Sequence, residues 1–124
     1  MTAPSPAVAR RVVPNVRGAQ PIESRSFYED VLGLRLGMDL GWIATFVSPA
    51  NPTAQVSVIS RDATADAHPD VSVEVDDVDA AHAAAVARGD DIVHPLTDEP
   101  WGVRRFFVRD PNGAVINVMS HTRA

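Results

Sequence analysis

Apolar residues recur along this chain at two spacings, one typical of strands and one typical of helices. Residues 70–75 alternate Val with Asp, Ser and Glu, as in a strand that buries one face. Residues 78–88 are rich in alanine and are followed by Gly89, which favours a helix ending in a left-handed residue. Asp76 or Asp77 is placed to cap the start of this helix.

The same order of elements is predicted in both halves of the chain. The elements of the first half are a strand at 11–17, a helix at 22–32 that stops at Gly33, and strands at 34–40, 42–48 and 55–60. Those of the second half are a strand at 70–75, a helix at 78–88, and strands at 91–96, 103–109 and 114–120. Residues 110–113, Asp-Pro-Asn-Gly, favour a tight turn between the last two strands. An order that occurs twice indicates an internal repeat.

Length and composition limit the classes of protein that this chain fits. Its 124 residues suffice for one domain, and 45% hydrophobic with 22% charged residues is ordinary for a soluble globular protein. The net charge of −5 argues against a nucleic-acid-binding surface or a surface for anionic membranes. The absence of cysteine excludes disulfides, thiolate catalysis and Cys-based metal sites. Because no apolar run suits a signal peptide or a membrane span, we expect a cytoplasmic protein.

Several segments of the sequence resemble the vicinal oxygen chelate superfamily. Residues 27–34, FYEDVLGL, resemble its FY-x-x-x-LG segment. Residues 73–79 and 87–89 resemble the start and end of its second module. Trp-Gly at 101–102, followed by residues 106–113, resembles its closing hairpin. The superfamily includes glyoxalase I, extradiol dioxygenases, fosfomycin-resistance enzymes and bleomycin-binding resistance proteins.

The resemblance implies an α+β fold of two tandem βαβββ modules. Their mixed sheet curls around a cavity, with the helices on its outer face. Residues 1–10 then form a flexible N-terminal arm, and residues 11–124 form a single domain with modules at about 11–60 and about 70–120. The resemblance also implies a homodimer. The sequence leaves open whether the modules pair within one chain or swap between two chains.

Enzymes of this superfamily typically hold a divalent metal through His, Glu or Gln side chains on the concave face of the sheet. Matched residue by residue, three ligand positions fall at Val13, Asp70 and Asn117. The fourth lies within residues 56–58, where Ser57 is the only polar residue. Valine cannot bind a metal, and a neutral amide replaces a carboxylate poorly. We therefore expect neither a metal nor another cofactor, and we assign no catalytic residue.

Aromatic and polar side chains are the expected site residues in place of a metal centre. Those that strand alternation or the turn before the closing hairpin directs towards the cavity are Trp42, Phe46, Asp70, Ser72, Glu74, Trp101, Phe107, Asn117 and Met119. For most of the aromatic and acidic members, core packing or plain solvent exposure explains the pattern equally well. Arg104 and Arg105 are expected at the surface.

Three interpretations of function follow. The first is a metal-independent small-molecule-binding protein of the glyoxalase/bleomycin-resistance type, which sequesters a drug or metabolite and so suits antibiotic resistance. The negative net charge of the chain favours a cationic or aromatic ligand. The alternative is a metal-dependent lyase, isomerase or dioxygenase that holds a divalent metal through displaced ligands such as His68 and Asp70. The third is a structural or regulatory module without a small ligand. Val13 and Asn117 favour the first.

Overall fold

The computed structural model describes residues 7–122, which form a mixed eight-stranded sheet with helices on its outer face. The elements in chain order are β1 (Ala9–Arg17), α1 (Arg25–Leu32), β2 (Arg35–Asp39), β3 (Ile43–Val47), β4 (Gln55–Ile59), β5 (Val71–Val75), α2 (Val78–Arg88), β6 (Ile92–Glu99), β7 (Val103–Arg109) and β8 (Val115–His121). The predicted order of one strand, one helix and three strands is therefore present twice. In the described part of the chain, neither helix has the length and apolar character needed to cross a membrane.

Pairing of β1 with β5 joins the two modules within one chain. The strands lie side by side in the order β2-β3-β4-β1-β5-β8-β7-β6. β1 runs antiparallel to β5, and Val13 lies opposite Ser72. In each module the first strand runs parallel to the last, β1 beside β4 and β5 beside β8. The predicted α+β fold of two tandem βαβββ modules is confirmed, and the pairing of the modules, which the sequence left open, lies within the chain.

Each helix buries one part of the outer face of the sheet. Under α1, the ring of Tyr28 stacks on that of Phe46 with centroids 5.0 Å apart, beside the buried Val58. Under α2, Phe106 and Val118 form a second apolar cluster. β1 lies between these two clusters in the order of the strands, and the outward-facing side chains of its centre are exposed. Apart from these two cores, the concave face of the sheet carries apolar, aromatic and polar side chains.

Local chemistry explains the ends of the helices. Gly33 ends α1 and Gly89 ends α2, with left-handed φ angles of 67° and 78°, as the sequence predicts. Of the two aspartates considered as caps for α2, Asp77 accepts a hydrogen bond from the backbone N–H of Ala80. The helix expected at 22–32 is divided, because Pro21–Ser24 forms a 3₁₀ turn before α1 begins.

Three strands extend beyond their predicted limits, and β8 does so by one residue, to His121. β6 was expected to end at residue 96 but continues to Glu99, whose backbone pairs with Val103 of β7. The polar end of β6, Thr-Asp-Glu, lacks the apolar alternation on which the prediction relied. β1 begins at Ala9, so residues 9 and 10 belong to the sheet rather than to the predicted arm. Residues 1–6 of that arm lie outside the described residues.

Candidate functional site

The concave face of the sheet encloses a cavity of about 270 Å³ that both modules line. This volume is just below the roughly 300–1,000 Å³ of most small-ligand pockets. The walls of the cavity are mainly apolar and include Val13, Trp42, Ile43, Ile59, Trp101, Val103 and Met119. The polar centre of the concave face, which we call the floor, is formed by Asn15, Thr45, Ser57, Ser72 and Asn117. The cavity therefore combines flat apolar walls with a neutral polar floor.

Strand register brings the floor residues together from five neighbouring strands, β3, β4, β1, β5 and β8. Ser72 of β5 lies opposite Asn117 of β8, and Asn15 of β1 lies opposite Ser57 of β4. The Ser72 hydroxyl oxygen accepts hydrogen bonds from the side-chain amides of Asn15 and Asn117, each 3.0 Å long. The hydroxyl groups of Thr45 and Ser57 are hydrogen-bonded at 2.7 Å. These contacts hold the floor side chains in fixed positions.

The residues at the four positions matched to metal ligands do not fit a divalent metal. Val13, Ser57 and Asn117 lie on the cavity side, as matched from the sequence, and none of them carries an imidazole or a carboxylate. Asp70 lies outside the cavity wall, and its carboxylate accepts the backbone N–H of Val115 at 2.8 Å. Within residues 7–122, no three His, Cys, Asp or Glu side chains are grouped closely enough to hold a metal ion.

The two tryptophans meet where the hairpins of the two modules approach each other. Trp42 lies in the turn between β2 and β3, and Trp101 lies in the turn between β6 and β7. Their ring centroids are 5.1 Å apart, and the ring planes are inclined by 62°. Gly41 and Gly102, with φ angles of 85° and 88°, supply the left-handed residues that these tight turns require. Aromatic surface from both modules thus covers the same part of the cavity.

Arg105 is buried in the cavity wall, which corrects the surface position expected from the sequence. Its guanidinium donates to both carboxylate oxygens of Asp62, at 2.8 and 2.6 Å, and through Nε to Glu99 at 2.6 Å. It also lies 4.9 Å from the ring centroid of Trp101 and 4.7 Å from that of Phe107. Two carboxylates and two rings therefore satisfy a charge that would otherwise require water.

The charged side chains around the cavity contact groups of opposite charge. Burial raises the pKa of Asp62, but hydrogen bonds from Arg105 and from two backbone N–H groups outweigh it, so the pKa lies below its ordinary value. Arg11, the other arginine of the wall, donates to Glu74 at 3.1 Å and to Gln55 at 2.8 Å. Within the described residues, each arginine that lines the cavity is thus hydrogen-bonded to at least one carboxylate.

The structure brings five of the nine expected site residues into the cavity wall, namely Trp42, Ser72, Trp101, Asn117 and Met119. Phe46 was expected there, but it lies fully buried on the outer face under α1. The expectation counted alternation from Trp42, which lies in a bend before β3, so the parity was wrong by one residue. Ile43 and Thr45 of β3 therefore face the cavity in place of Phe46.

The other expected site residues lie near the cavity without lining it. Asp70 is exposed, and its carboxylate is hydrogen-bonded to the backbone N–H of Val115. Glu74 contacts the wall through its ion pair with Arg11. Phe107 is fully buried beneath the guanidinium of Arg105. Sequence reasoning did not identify Arg11, Asn15, Thr45, Asp62 and Arg105. For Asn15 a signal was available, because Asn15 has the same strand parity as Val13, which was placed on the concave face.

His68 is a half-buried residue beside this site, and both of its ring nitrogens are shielded from solvent. Neither of its ring nitrogens has a hydrogen-bond partner among the described residues. Burial, and then the nearby charge of Arg17, lowers the pKa of His68 below its ordinary value. The ring is therefore neutral at neutral pH. Its neighbour Pro69 lines the cavity, whereas His68 itself does not.

The family model described as the Glyoxalase/Bleomycin resistance protein/Dioxygenase superfamily matches residues 12–118. A structure described as NAD-dependent benzaldehyde dehydrogenase from Legionella pneumophila is similar, with a TM-score of 0.72 and 19% identity over 90% of this chain and 99% of that one. The structure of methylmalonyl-CoA epimerase from Mycobacterium tuberculosis has a TM-score of 0.67 and 18% identity, over 99% of this chain and 94% of that one. A mutant of homoprotocatechuate 2,3-dioxygenase from Brevibacterium fuscum has a TM-score of 0.69 and 21% identity, over 99% of this chain but only 35% of that one. No protein of curated function matches the sequence. Identities this low show a shared fold alone.

Proposed function

This chain belongs to the Glyoxalase/Bleomycin resistance protein/Dioxygenase superfamily, and from that premise we propose that it is a metal-independent small-molecule-binding protein. It sequesters a drug or metabolite in the cavity between its two modules and needs no cofactor. Such a protein would serve antibiotic resistance in the cytoplasm. Fold alone does not decide between binding and catalysis, so the proposal rests on the site.

The observation that carries the proposal is the neutral floor of the cavity. The strand positions that hold metal ligands in related enzymes carry Val13, Ser57 and Asn117. At the fourth position, the carboxylate of Asp70 accepts a hydrogen bond from the backbone N–H of Val115. Amides and hydroxyls bind transition metals weakly compared with imidazole and carboxylate. They are, however, effective hydrogen-bonding partners for a neutral organic ligand.

The ion pairs of the cavity wall favour a ligand without negative charge. A phosphate or carboxylate group would have to compete with Asp62 and Glu99 for Arg105, and with Glu74 for Arg11. Three carboxylates lie on or directly behind the wall against these two arginines, so a cationic or neutral molecule is favoured electrostatically. Trp42 and Trp101 offer aromatic surface to such a molecule.

Metal analysis and ligand screening test the proposal together. Protein purified without chelator is expected to hold far less than one Zn, Ni, Fe or Mn ion per chain, and added metal is expected to leave its melting temperature unchanged. Aromatic neutral or cationic compounds are expected to raise the melting temperature of the metal-free protein at saturating concentration. Stoichiometric metal that Asp70→Ala or His68→Ala removes would instead favour the metal-dependent lyase, isomerase or dioxygenase.

We further propose that the protein is a homodimer. Three large apolar side chains of α1 are exposed in the single chain, namely Phe27, Val31 and Leu32, at 54%, 63% and 55%. An exposed apolar cluster of this kind commonly marks a protein interface. Light scattering of the eluted protein is expected to give twice the chain mass, and Val31→Glu is expected to give the chain mass. A wild-type monomer would contradict the proposal.

A further inference from the structure

We propose that the cavity recognises a flat cyclic amide, in which a ring N–H and a ring C=O lie side by side. This inference rests on the proposed function, because it names the class of ligand that the same cavity binds. It follows from the hydrogen-bonding groups of the floor that the protein itself leaves unused.

Asn117 carries an acceptor without a donor. Its side-chain amide nitrogen donates to Ser72, but its Oδ1 is buried and has no hydrogen-bond partner among the described residues. The residue is only 8% exposed, and it lines the cavity. A buried acceptor without a partner is costly and uncommon in proteins. A ligand N–H at the floor of the cavity can supply the missing donor through a small shift of the Asn117 side chain that keeps its Nδ2–H on Ser72.

Ser72 carries a donor without an acceptor. A hydroxyl group has one proton to donate and two lone pairs that accept. Both lone pairs of Ser72 are used by the amides of Asn15 and Asn117, at 3.0 Å each. The proton of Ser72 therefore remains available for an acceptor in the cavity, which Ser72 lines.

The spacing of these two groups suits the edge of a cyclic amide. Ser72 and Asn117 are direct neighbours on paired parallel strands. Their side chains are in direct contact, with Nδ2 of Asn117 3.0 Å from the hydroxyl oxygen of Ser72, so two hydrogen bonds can run side by side from this pair into the cavity. A ring C=O would accept from Ser72, and the adjacent ring N–H would donate to Asn117. The tryptophan walls and the volume of about 270 Å³ suit a ligand of two fused rings.

Matched pairs of compounds test this inference on the wild-type protein. The bicyclic lactams 2-quinolinone, 1-isoquinolinone and 4-quinazolinone are compared by calorimetry with their N-methyl derivatives, which lack the N–H and keep the rings and the carbonyl group. At least one lactam is expected to bind the metal-free protein at one per chain, and N-methylation is expected to weaken its binding at least about tenfold. In Asn117→Leu the lactam and its N-methyl derivative are expected to bind equally. Asn112→Ala, an exposed residue of the closing turn, serves as the matched control and is expected to keep the preference.

The possible results separate this inference from the function on which it rests. If no lactam binds, or if N-methylated compounds bind as tightly as their parents, the cyclic-amide class is wrong. Binding of other aromatic compounds to the metal-free protein would then still support the proposed function. Binding that requires added metal would contradict the proposed function itself. Because the paired compounds are compared on the wild-type chain, the result does not depend on whether Asn117→Leu folds.

Discussion

Replacing Arg105 by methionine isolates the contribution of the buried ion cluster to stability. In the wild-type chain the side chains of Arg105, Asp62 and Glu99 are 3%, 1% and 3% exposed. Arg105→Met keeps most of the packing between Trp101 and Phe107 but leaves two buried carboxylates without their cation. Removing one member of a buried ion pair typically costs about 3–5 kcal/mol, because the remaining charge is not compensated.

That loss is a large fraction of the free energy of unfolding, which for a domain is about 5–15 kcal/mol. The entropy of unfolding is about 2.1 cal/mol/K per residue, which for 124 residues is about 0.26 kcal/mol/K. A loss of about 4 kcal/mol therefore lowers the melting temperature by roughly 15 °C. Urea unfolding at pH 8 followed by circular dichroism measures this loss as a free energy.

The pH dependence gives the decisive part of this prediction. In the wild-type protein the pKa of Asp62 is lowered, so its contribution to stability is present above the unfolded pKa and is lost as pH falls through the folded pKa. In Arg105→Met, burial is no longer outweighed, and the pKa of Asp62 is expected to rise above its unfolded value. The variant then gains stability relative to the wild type as pH falls from 8 towards 4.5, and the difference between the two narrows.

Arg104→Met is the matched control for Arg105→Met. Arg104 is adjacent in sequence and makes ion pairs with Asp79 at 2.9 Å and Asp98 at 3.3 Å, but its side chain is 33% exposed. This variant is expected to unfold at the same urea concentration as the wild type. The reasoning is refuted if both variants lose the same stability, or if the loss in Arg105→Met is equal at pH 8 and pH 4.5.

Two further predictions concern the side of the sheet on which Phe46 lies and the ionisation of His68. Phe46→Ala is expected to lower the free energy of unfolding by about 3–5 kcal/mol without changing the dissociation constant of a bound lactam. Trp42→Ala, in contrast, is expected to weaken lactam binding. A weaker lactam complex in Phe46→Ala would show that the ring of Phe46 belongs to the site. The folded pKa of His68 is lowered, so the unfolded chain takes up a proton first and stability is lost as pH falls below the unfolded value of 6.5. His68→Gln is therefore expected to lose less stability than the wild type between pH 7.5 and 5, and parallel curves of unfolding free energy against pH would refute this.

Features that depend on neighbours in sequence could be predicted from the sequence. Gly33 and Gly89 end the helices because a left-handed residue closes a helix locally. Residues 110–113 form the turn between β7 and β8, where the carboxylate of Asp110 accepts the N–H groups of Asn112 and Ala114. Each of these signals needs only a few residues of context.

Features that depend on distant parts of the chain could not be predicted in the same way. Asp62 and Arg105 are 43 positions apart, and each alone has the pattern of an ordinary surface charge. Their burial follows from the position of the loop after β4, for which the sequence contains no periodic signal. Phe46 shows a different limit, because alternation gives the face of a strand residue only when the start of the strand is known. Trp42, one residue before β3, was counted as part of it.

The chemistry of the floor also bears on whether the cavity performs catalysis. A general acid or base must sit within reach of the ligand and exchange a proton near neutral pH. The floor offers only amide and hydroxyl groups, and Asp62, the ionisable carboxylate of the wall, is held by Arg105 with a lowered pKa. The imidazole of His121 lies at the end of β8, where its side chain is 58% exposed and 3.6 Å from Glu74. His121 lines the cavity but is not part of the floor that the proposed lactam contacts. His121→Asn is therefore expected to leave lactam binding intact, and a weaker complex in this variant would place the imidazole against the ligand.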